Sequence, residues 1–535
     1  MCQPRHLAFA LLLAGAFGLR VACNTYLLPP LYAYPNEEDK RDAALKLPED
    51  HFYHGSSMPS LLLDSLYLLY FPVRWTHQIG HSLWPQSLLF GMDLSNFYLW
   101  FGRVYMALFG VAAIGAVYHL GKRLHSRRVG WIAALALAVA PIHVLGSRHM
   151  KEDMPLGLFA TMAMIFFLDV IRRGRLRDSK RAGFMTGICF STKWLGGVLA
   201  LPLLAAHLLR PKGQTPPDEP RPLRRRLGWA FLFLIIGFYV GSPDYLIRPV
   251  VLVRGLRRGV KKSYTEHSDG MSVSPFQEGF TDYFRTGLWP GLTPPLLVLT
   301  AIGWSGLRKR RPREAWLLGA TVLFCYALLE TASARPYPHH QRYLQTIIPS
   351  LAALAACGMA DLDGLVRRIP ALARRCSPRA GLGAIVLLAL IWPTHDSLRY
   401  LYNIPRSTIC QADDYIRSHV PEGSPILLDN YCPRLDKTRY RILRSREQDQ
   451  LIIDQFPAEP CYALFSYAGL GRFLEHPGAN PDVTRFAYYL LGTGRLVAEW
   501  QANFRSFYCE SPTLRLMRFD STEAPFVPLH KKPKE

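Results

Sequence analysis

Two acidic clusters in this chain carry the residue types that activate a hydroxyl or hold a cation: "YPNEEDKRDA" at 34–43 and "HMKEDMPL" at 149–156. A carboxylate can take the proton of an acceptor hydroxyl as general base, or can hold a divalent cation that steadies a phosphate leaving group. In the first cluster, Glu37, Glu38 and Asp39 are the candidate catalytic carboxylates; in the second, Asp153 is the candidate, with Glu152 beside it as a second possible ligand for Mg or Mn. A run of exposed charge is by itself an ordinary solvated loop. Asp153 differs, because it abuts an apolar block beside Pro155, where a carboxylate has to be tolerated near lipid. No other cofactor is indicated.

Complementary cations occur in three places. The segment 248–290 holds Arg248, Arg254, Arg257, Arg258, Lys261 and Lys262, a set suited either to anionic lipid headgroups or to clamping a lipid phosphate. "RPYPHHQRY" at 335–343 adds His339, His340 and Arg342, and Lys193 interrupts an apolar block. Two adjacent histidines without a third ligand do not make a metal site, so a polar helix entry accounts for them.

The elements that must position these residues are membrane helices. The chain has 535 residues, half of them hydrophobic, and the apolar residues come in long blocks rather than spread through a soluble core. Blocks such as "WFGRVYMALFGVAAIGAVYHL" (100–120) approach the roughly 20 apolar residues that span a bilayer. The formal charge of +23 would suit nucleic acid, but the basic residues sit in short loops between apolar blocks, at 121–128, 172–181, 210–226, 308–313 and 367–379. Short basic loops mark the cytoplasmic side, and no basic stripe with interleaved aromatics appears, so nucleic acid is excluded as a partner.

Fixing those loops inside gives about eleven spans, at 7–23, 98–120, 129–146, 155–171, a hairpin within 182–208, 227–247, 291–307, 314–332, 343–361 and 380–396. The N-terminus is then cytoplasmic, and residues 24–97, Asp153, 248–290 and everything past 396 lie outside. The apolar run 61–71 is too short to span and reads as an interfacial helix. Residues 1–396 form the membrane domain; residues 397–535, with alternating apolar and turn segments, form a small outer α/β domain. Four cysteines there, Cys410, Cys432, Cys461 and Cys509, are an even set in an oxidising compartment and predict two disulfides.

The arrangement resembles the GT-C superfamily, in particular the bacterial relatives of protein O-mannosyltransferases and aminoarabinose transferases. The resemblance runs through "PNEED" (35–39), "MPSLLL" (58–63), "GRVYMALFGVAAIGAVYHLGKRL" (102–124), "AALALAVAPIHVLGSRHMKEDMPL" (133–156), "GICFSTKWLGGVLALP" (187–202), "RYLQTIIPSLAALAACGM" (342–359) and "ADDYIRSHVPEGSPILLDN" (412–430). It implies an all-α polytopic membrane enzyme that takes a sugar from a polyprenyl-phosphate donor to an acceptor (protein, lipid or glycan) outside the cytoplasm, at a plasma (inner) membrane. The family's first-loop Asp aligns with Asn36, and an amide cannot accept a proton in that role. Glu37, in the family's second acidic position, then becomes the expected base, with Asp153 its partner. The expected substrate-contacting set is Asn36, Lys193, Arg257, Arg258, Lys261, His340 and Arg342. A polytopic transporter or a non-catalytic lipid-binding protein is the alternative; the former needs ionisable residues at mid-membrane, for which Lys193 is the candidate, and the latter is kept open by Asn36.

Overall fold

The computed structural model describes residues 4–25, 61–211, 222–247, 249–264, 280–331, 340–368, 377–444, 446–447, 450–451, 459–475, 477, 481–503 and 511–520. A helix lies at each expected position: α1 (Pro4–Val21), α2 (Leu61–Leu68), α3 (Tyr70–Leu83), α4 (Leu94–Leu124), α5 (Arg127–Val139), α6 (Pro141–Gly146), α7 (Asp153–Arg172), α8 (Leu176–Thr192), α9 (Ala200–Leu208), α10 (Leu223–Gly241), α11 (Pro249–Tyr264), α12 (Pro294–Arg310), α13 (Pro312–Thr331), α14 (Ile348–Val366) and α15 (Pro378–Asn403). Five stretches among the described residues are long and apolar enough to cross a membrane: α4, α7, α13, α14 and the continuous 380–419 stretch that begins in α15. At 1.5 Å per residue, α4 alone is about 46 Å long, more than the hydrocarbon core.

The interior of the bundle is close-packed where small residues let backbones meet. On α8, a Cβ at Gly183 or Gly187 would strike the carbonyls of Ala230 and Leu234 on α10; Gly303 of α12 and Gly358 of α14 face each other's helix backbone in the same way. Small residues at such crossings are what helix pairs in lipid require, since lipid tails supply no hydrophobic drive for association. The periphery is apolar instead, with Leu108, Ile235, Val298, Leu323, Leu388 and Ile391 exposed. On α3 the residues Phe71, Trp75, Ile79 and Leu83 are exposed at four-residue spacing, so they share one face, as an interfacial helix needs.

The basic loops meet at one end of the bundle. Arg123 pairs with Asp169 at 3.1 Å, Arg310 with Asp361 at 2.5 Å, and Arg172 donates from Nε to Glu314 at 2.7 Å. Arg172 and Arg311 both donate to the Arg123 carbonyl at 2.7 Å. The expected hairpin is present: α8 leaves this end, the chain breaks at Lys193, and α9 returns so that Arg210 donates to the carbonyl of Gly174 at 2.8 Å.

The helix of the last expected span, α15, expected to end at 396, continues to Asn403 through Pro393. It leads to α16 (Thr408–His419) and a five-stranded sheet in the order β2-β1-β5-β7-β6. Strands β1 (Pro425–Leu428), β2 (Arg441–Arg444) and β5 (Cys461–Ser466) run parallel, while β6 (Arg495–Trp500) and β7 (Leu514–Phe519) add an antiparallel edge. Strands β3 (Arg446–Glu447) and β4 (Gln450–Leu451) form a separate short ribbon. Phe465, Phe473, Phe486 and Phe519 fill a core between the sheet and α17 (Pro481–Thr493).

The two expected disulfides are not formed. Cys410, Cys432 and Cys461 are free thiols, and Cys509 lies outside the described residues. Packing holds the three on different elements: Cys461 sits in the core of β5 opposite Phe519, Cys432 donates to the Leu464 carbonyl at 3.4 Å, and Cys410 on α16 lies 3.4 Å from the Ser407 hydroxyl.

Candidate active site

At the end of the bundle opposite the ion-pair network, α7 begins with Asp153, whose side chain is 3% exposed. A carboxylate in a first turn is favoured by the helix dipole, and Pro155 fits there because the first turn has no N–H to lose. The chain break after α8 brings up the first cation. Lys193 is extended (φ −162°, ψ 144°), and the 3-10 turn that follows folds back on the end of α8, where a side chain at Gly196 would strike the Cys189 carbonyl. This aims Lys193 at α7, and its Nζ donates to Asp153 Oδ1 at 2.5 Å.

The second cation comes from the 3-10 turn His340–Thr346 before α14: Arg342 Nε lies 3.3 Å from Asp153 Oδ2. Tyr343 stands between the two, with Lys193 Nζ 4.1 Å and the Arg342 guanidinium 5.2 Å from its ring centroid. Gln345 fixes this turn by donating to the Ile142 carbonyl at 2.7 Å. Asp153 Oδ2 accepts no hydrogen bond from the described residues despite its burial, so it can still accept one from a hydroxyl. Glu152 is buried beside it, within Coulombic range of Lys193.

Three residues that sequence reasoning did not select hold the base of this site. Arg20, near the end of α1, is fully buried and donates to the carbonyls of Leu137 at 3.3 Å and Ala138 at 3.2 Å, and to His143 Nδ1 at 2.7 Å. Pro141 explains the first of these, since it has no N–H to offer the carbonyl four residues back, and the α5–α6 break leaves that group for a side chain to satisfy. Arg148 donates from Nη2 to the Cys23 carbonyl at 2.8 Å and from Nε to the Asn24 side chain at 3.2 Å, while Arg103 donates to the Asn24 carbonyl at 3.1 Å. The exit of α1 is thus bonded to the segment that leads into Asp153. The available signal was an arginine inside an apolar block, which is expensive in lipid and marks a function or a fixed partner.

The structure therefore unites Asp153, Lys193 and Arg342, three expected site residues far apart in sequence. Asn36, Glu37, Glu38 and Asp39 lie outside the described residues. Arg257 is exposed on α11 and forms no ion pair with Asp153; the side chains of Arg258, Lys261 and His340 lie outside the description. Glu152 and Asp153, the expected cation ligands, lie side by side and buried, with Asp153 facing Lys193 and Arg342; the acidic first-loop residues that would complete a ligand set lie outside the described residues.

The whole chain aligns with the structure of ArnT from Cupriavidus metallidurans bound to undecaprenyl phosphate, covering 97% of this chain and 98% of that one at a TM-score of 0.51 and 14% identity. The chain has the GT-C fold. Within it, residues 83–242, which include Asp153 and Lys193, match the family model of dolichyl-phosphate-mannose-protein mannosyltransferases. YkcB of Bacillus subtilis, which carries a provisional mannosyltransferase name, is 31% identical over 116 residues, 22% of this chain and 16% of that relative's length. The Archaeoglobus fulgidus oligosaccharyltransferase aligns over 78% of this chain and 59% of its own at 12% identity and a TM-score of 0.45, too remote a likeness to carry an argument.

Proposed function

We propose that this GT-C chain is a membrane glycosyltransferase that moves a sugar from a polyprenyl-phosphate-linked donor to an acceptor hydroxyl outside the cytoplasm. The observation that carries this reading is Asp153, a buried carboxylate at a helix start, held by Lys193 and Arg342 with one oxygen left to accept. In the reaction a carboxylate takes the acceptor proton, the acceptor oxygen bonds to the anomeric carbon, and the bond from that carbon to the phosphate oxygen breaks. Lys193 and Arg342 are placed to offset the charge on the departing phosphate, as charge-assisted donors do best away from bulk water. Glu37 is the proposed base, with Glu38 and Asp39 as its neighbours, Asp153 orients the acceptor, and Arg257, Arg258 and Lys261 attract the anionic donor to the membrane surface. ArnT's bound undecaprenyl phosphate supports a donor of that class.

The same reading places about eleven spans in the bilayer, with the ion-pair end cytoplasmic and the sheet beyond residue 403 outside. The test is transfer from a radiolabelled polyprenyl-phosphate sugar in membranes carrying a triple Ala change at Glu37, Glu38 and Asp39. Loss of a general base lowers the rate by roughly 10²- to 10⁴-fold. Near-normal transfer by this variant removes the first-loop carboxylates from the mechanism.

A further inference from the structure

At the basic end of the bundle, away from Asp153, an apolar crevice of about 250 Å³ opens between α7, α8 and α10. Phe166 of α7, Phe184 and Met185 of α8 and Phe233 of α10 line it, together with Lys180 and Arg181. The order along α8 sorts these by depth. Lys180 and Arg181 lie in the second turn, near the ion-pair end, and Phe184 and Met185 one turn further into the bundle. The crevice therefore has an apolar, mainly aromatic wall, with Lys180 and Arg181 on the side nearer the ion-pair end. Lys180 Nζ sits 4.2 Å from the Trp229 ring centroid and 5.2 Å from that of Phe233, so aromatic faces hold it in place.

Among the described residues neither Lys180 nor Arg181 pairs with a carboxylate. The nearest acid in sequence, Asp178, is turned to cap its own helix by accepting from the Arg175 N–H at 3.3 Å. The surrounding surface of α10 is lipid-like, with Phe231, Leu232 and Ile235 exposed.

We propose that this crevice is a binding site for an anionic phospholipid of the leaflet at the basic end. Part of an acyl chain lies against Phe166, Phe184, Met185 and Phe233, and the phosphate meets Lys180 and Arg181. Charge complementarity selects the occupant: basic pockets between membrane helices on the positive side of a protein attract anionic headgroups, while a zwitterionic lipid brings no net charge to Lys180 and Arg181. The volume fits a length of chain and not a second helix, which would need the whole groove between α7 and α10 to open.

The experiment uses the purified full chain in zwitterionic nanodiscs, doped with phosphatidylglycerol carrying a photoreactive group in its acyl chain. Cross-links are expected in the peptides spanning 180–185 and 229–233, competed by unlabelled phosphatidylglycerol but neither by phosphatidylcholine nor by soluble glycerol phosphate. Lys180→Met with Arg181→Gln should weaken the competition about thirtyfold, at roughly fivefold per basic residue facing an anionic surface. Arg224→Gln with Arg225→Gln, on the same end but outside the crevice, should leave it unchanged. Equal competition by phosphatidylcholine overturns the headgroup assignment, competition by glycerol phosphate alone shows a free-phosphate site instead, and cross-links between two copies at these residues show a protein interface. The wild-type competition decides the matter even where a variant fails to fold.

Discussion

Replacing Asp153 by asparagine removes one charge and almost no volume, and the geometry around it sets the cost. Its side chain is 3% exposed and those of Lys193 and Arg342 are 9% exposed, so the change takes from two buried cations the carboxylate they share, leaving Glu152 as the acid within Coulombic range of Lys193. Removing one member of a buried ion pair costs about 3 to 5 kcal/mol, because the surviving charge stays desolvated without compensation. That is a large share of the roughly 5 to 15 kcal/mol that holds a typical folded domain together. Asp153→Asn should therefore lower the thermal midpoint of the detergent-solubilised protein strongly, and lower sugar transfer in membranes as well.

A companion variant separates the two effects. Asp153→Asn combined with Lys193→Met deletes the closest cation along with the carboxylate, so much of the stability should return while Arg342, at 3.3 Å, keeps a residual penalty. Transfer should not return. The assays are fluorescence-detected thermal unfolding and transfer from a radiolabelled donor, on the same preparations. Unchanged stability in Asp153→Asn refutes the buried-pair reasoning, and recovery of transfer in the double variant shows that Asp153 serves only to neutralise Lys193.

Arg20→Met should destabilise the protein by roughly 2 to 6 kcal/mol, since it leaves the carbonyls of Leu137 and Ala138 without a donor at about 1 to 3 kcal/mol each; an unchanged thermal midpoint contradicts this. Burial pushes the Cys461 thiol up to about 11, so at pH 8 only roughly one molecule in a thousand carries the reactive thiolate, and the rate of maleimide labelling of the folded protein should rise about tenfold per pH unit from there and level off only above pH 11. Rapid stoichiometric labelling of Cys461 at pH 8, read by peptide mapping, rules this out. A reporter active only outside the cytoplasm should work when fused after Asp153 or at the C-terminus and stay silent after Arg177; the opposite pattern inverts the topology.

Helix positions were legible because lipid constrains sequence so tightly: apolar blocks and short basic loops placed a helix at every expected position, and even the break at Lys193 showed as a lysine inside an apolar run. Asp153, Lys193 and Arg342 were each visible as polar residues in apolar surroundings. Their convergence was not, because it depends on a 3-10 turn before α14 that no periodicity signals. Arg20 was hidden for a related reason: its partners are carbonyls, freed by Pro141, and a carbonyl leaves no trace in the side-chain pattern. The cysteines misled because an even count speaks to compartment and not to distance, and the packing of β5 and α16 keeps the thiols apart. The C-terminal sheet was expected only as a fold class; its strand order follows from long-range pairing.

The bond between Arg20 and the broken α5–α6 segment also sets an order of assembly. Its acceptors on that segment lie 117 to 123 residues further along the chain, so when α1 is made they do not yet exist. At ribosomal rates of about 5 to 20 residues per second, the guanidinium waits on the order of ten seconds for them. On the proposed topology α1 is a marginal insert during that interval, since an arginine in a nascent span opposes partitioning by up to about 3 kcal/mol when it lies deep. Only the arrival of residues 137–143 converts that liability into a latch, and Cys23, whose thiol donates to the Leu401 carbonyl at 3.7 Å, gains that contact only once α15 has been made. The α1 helix is therefore locked only after α5, α6 and α15, which follow it in the chain, have been made.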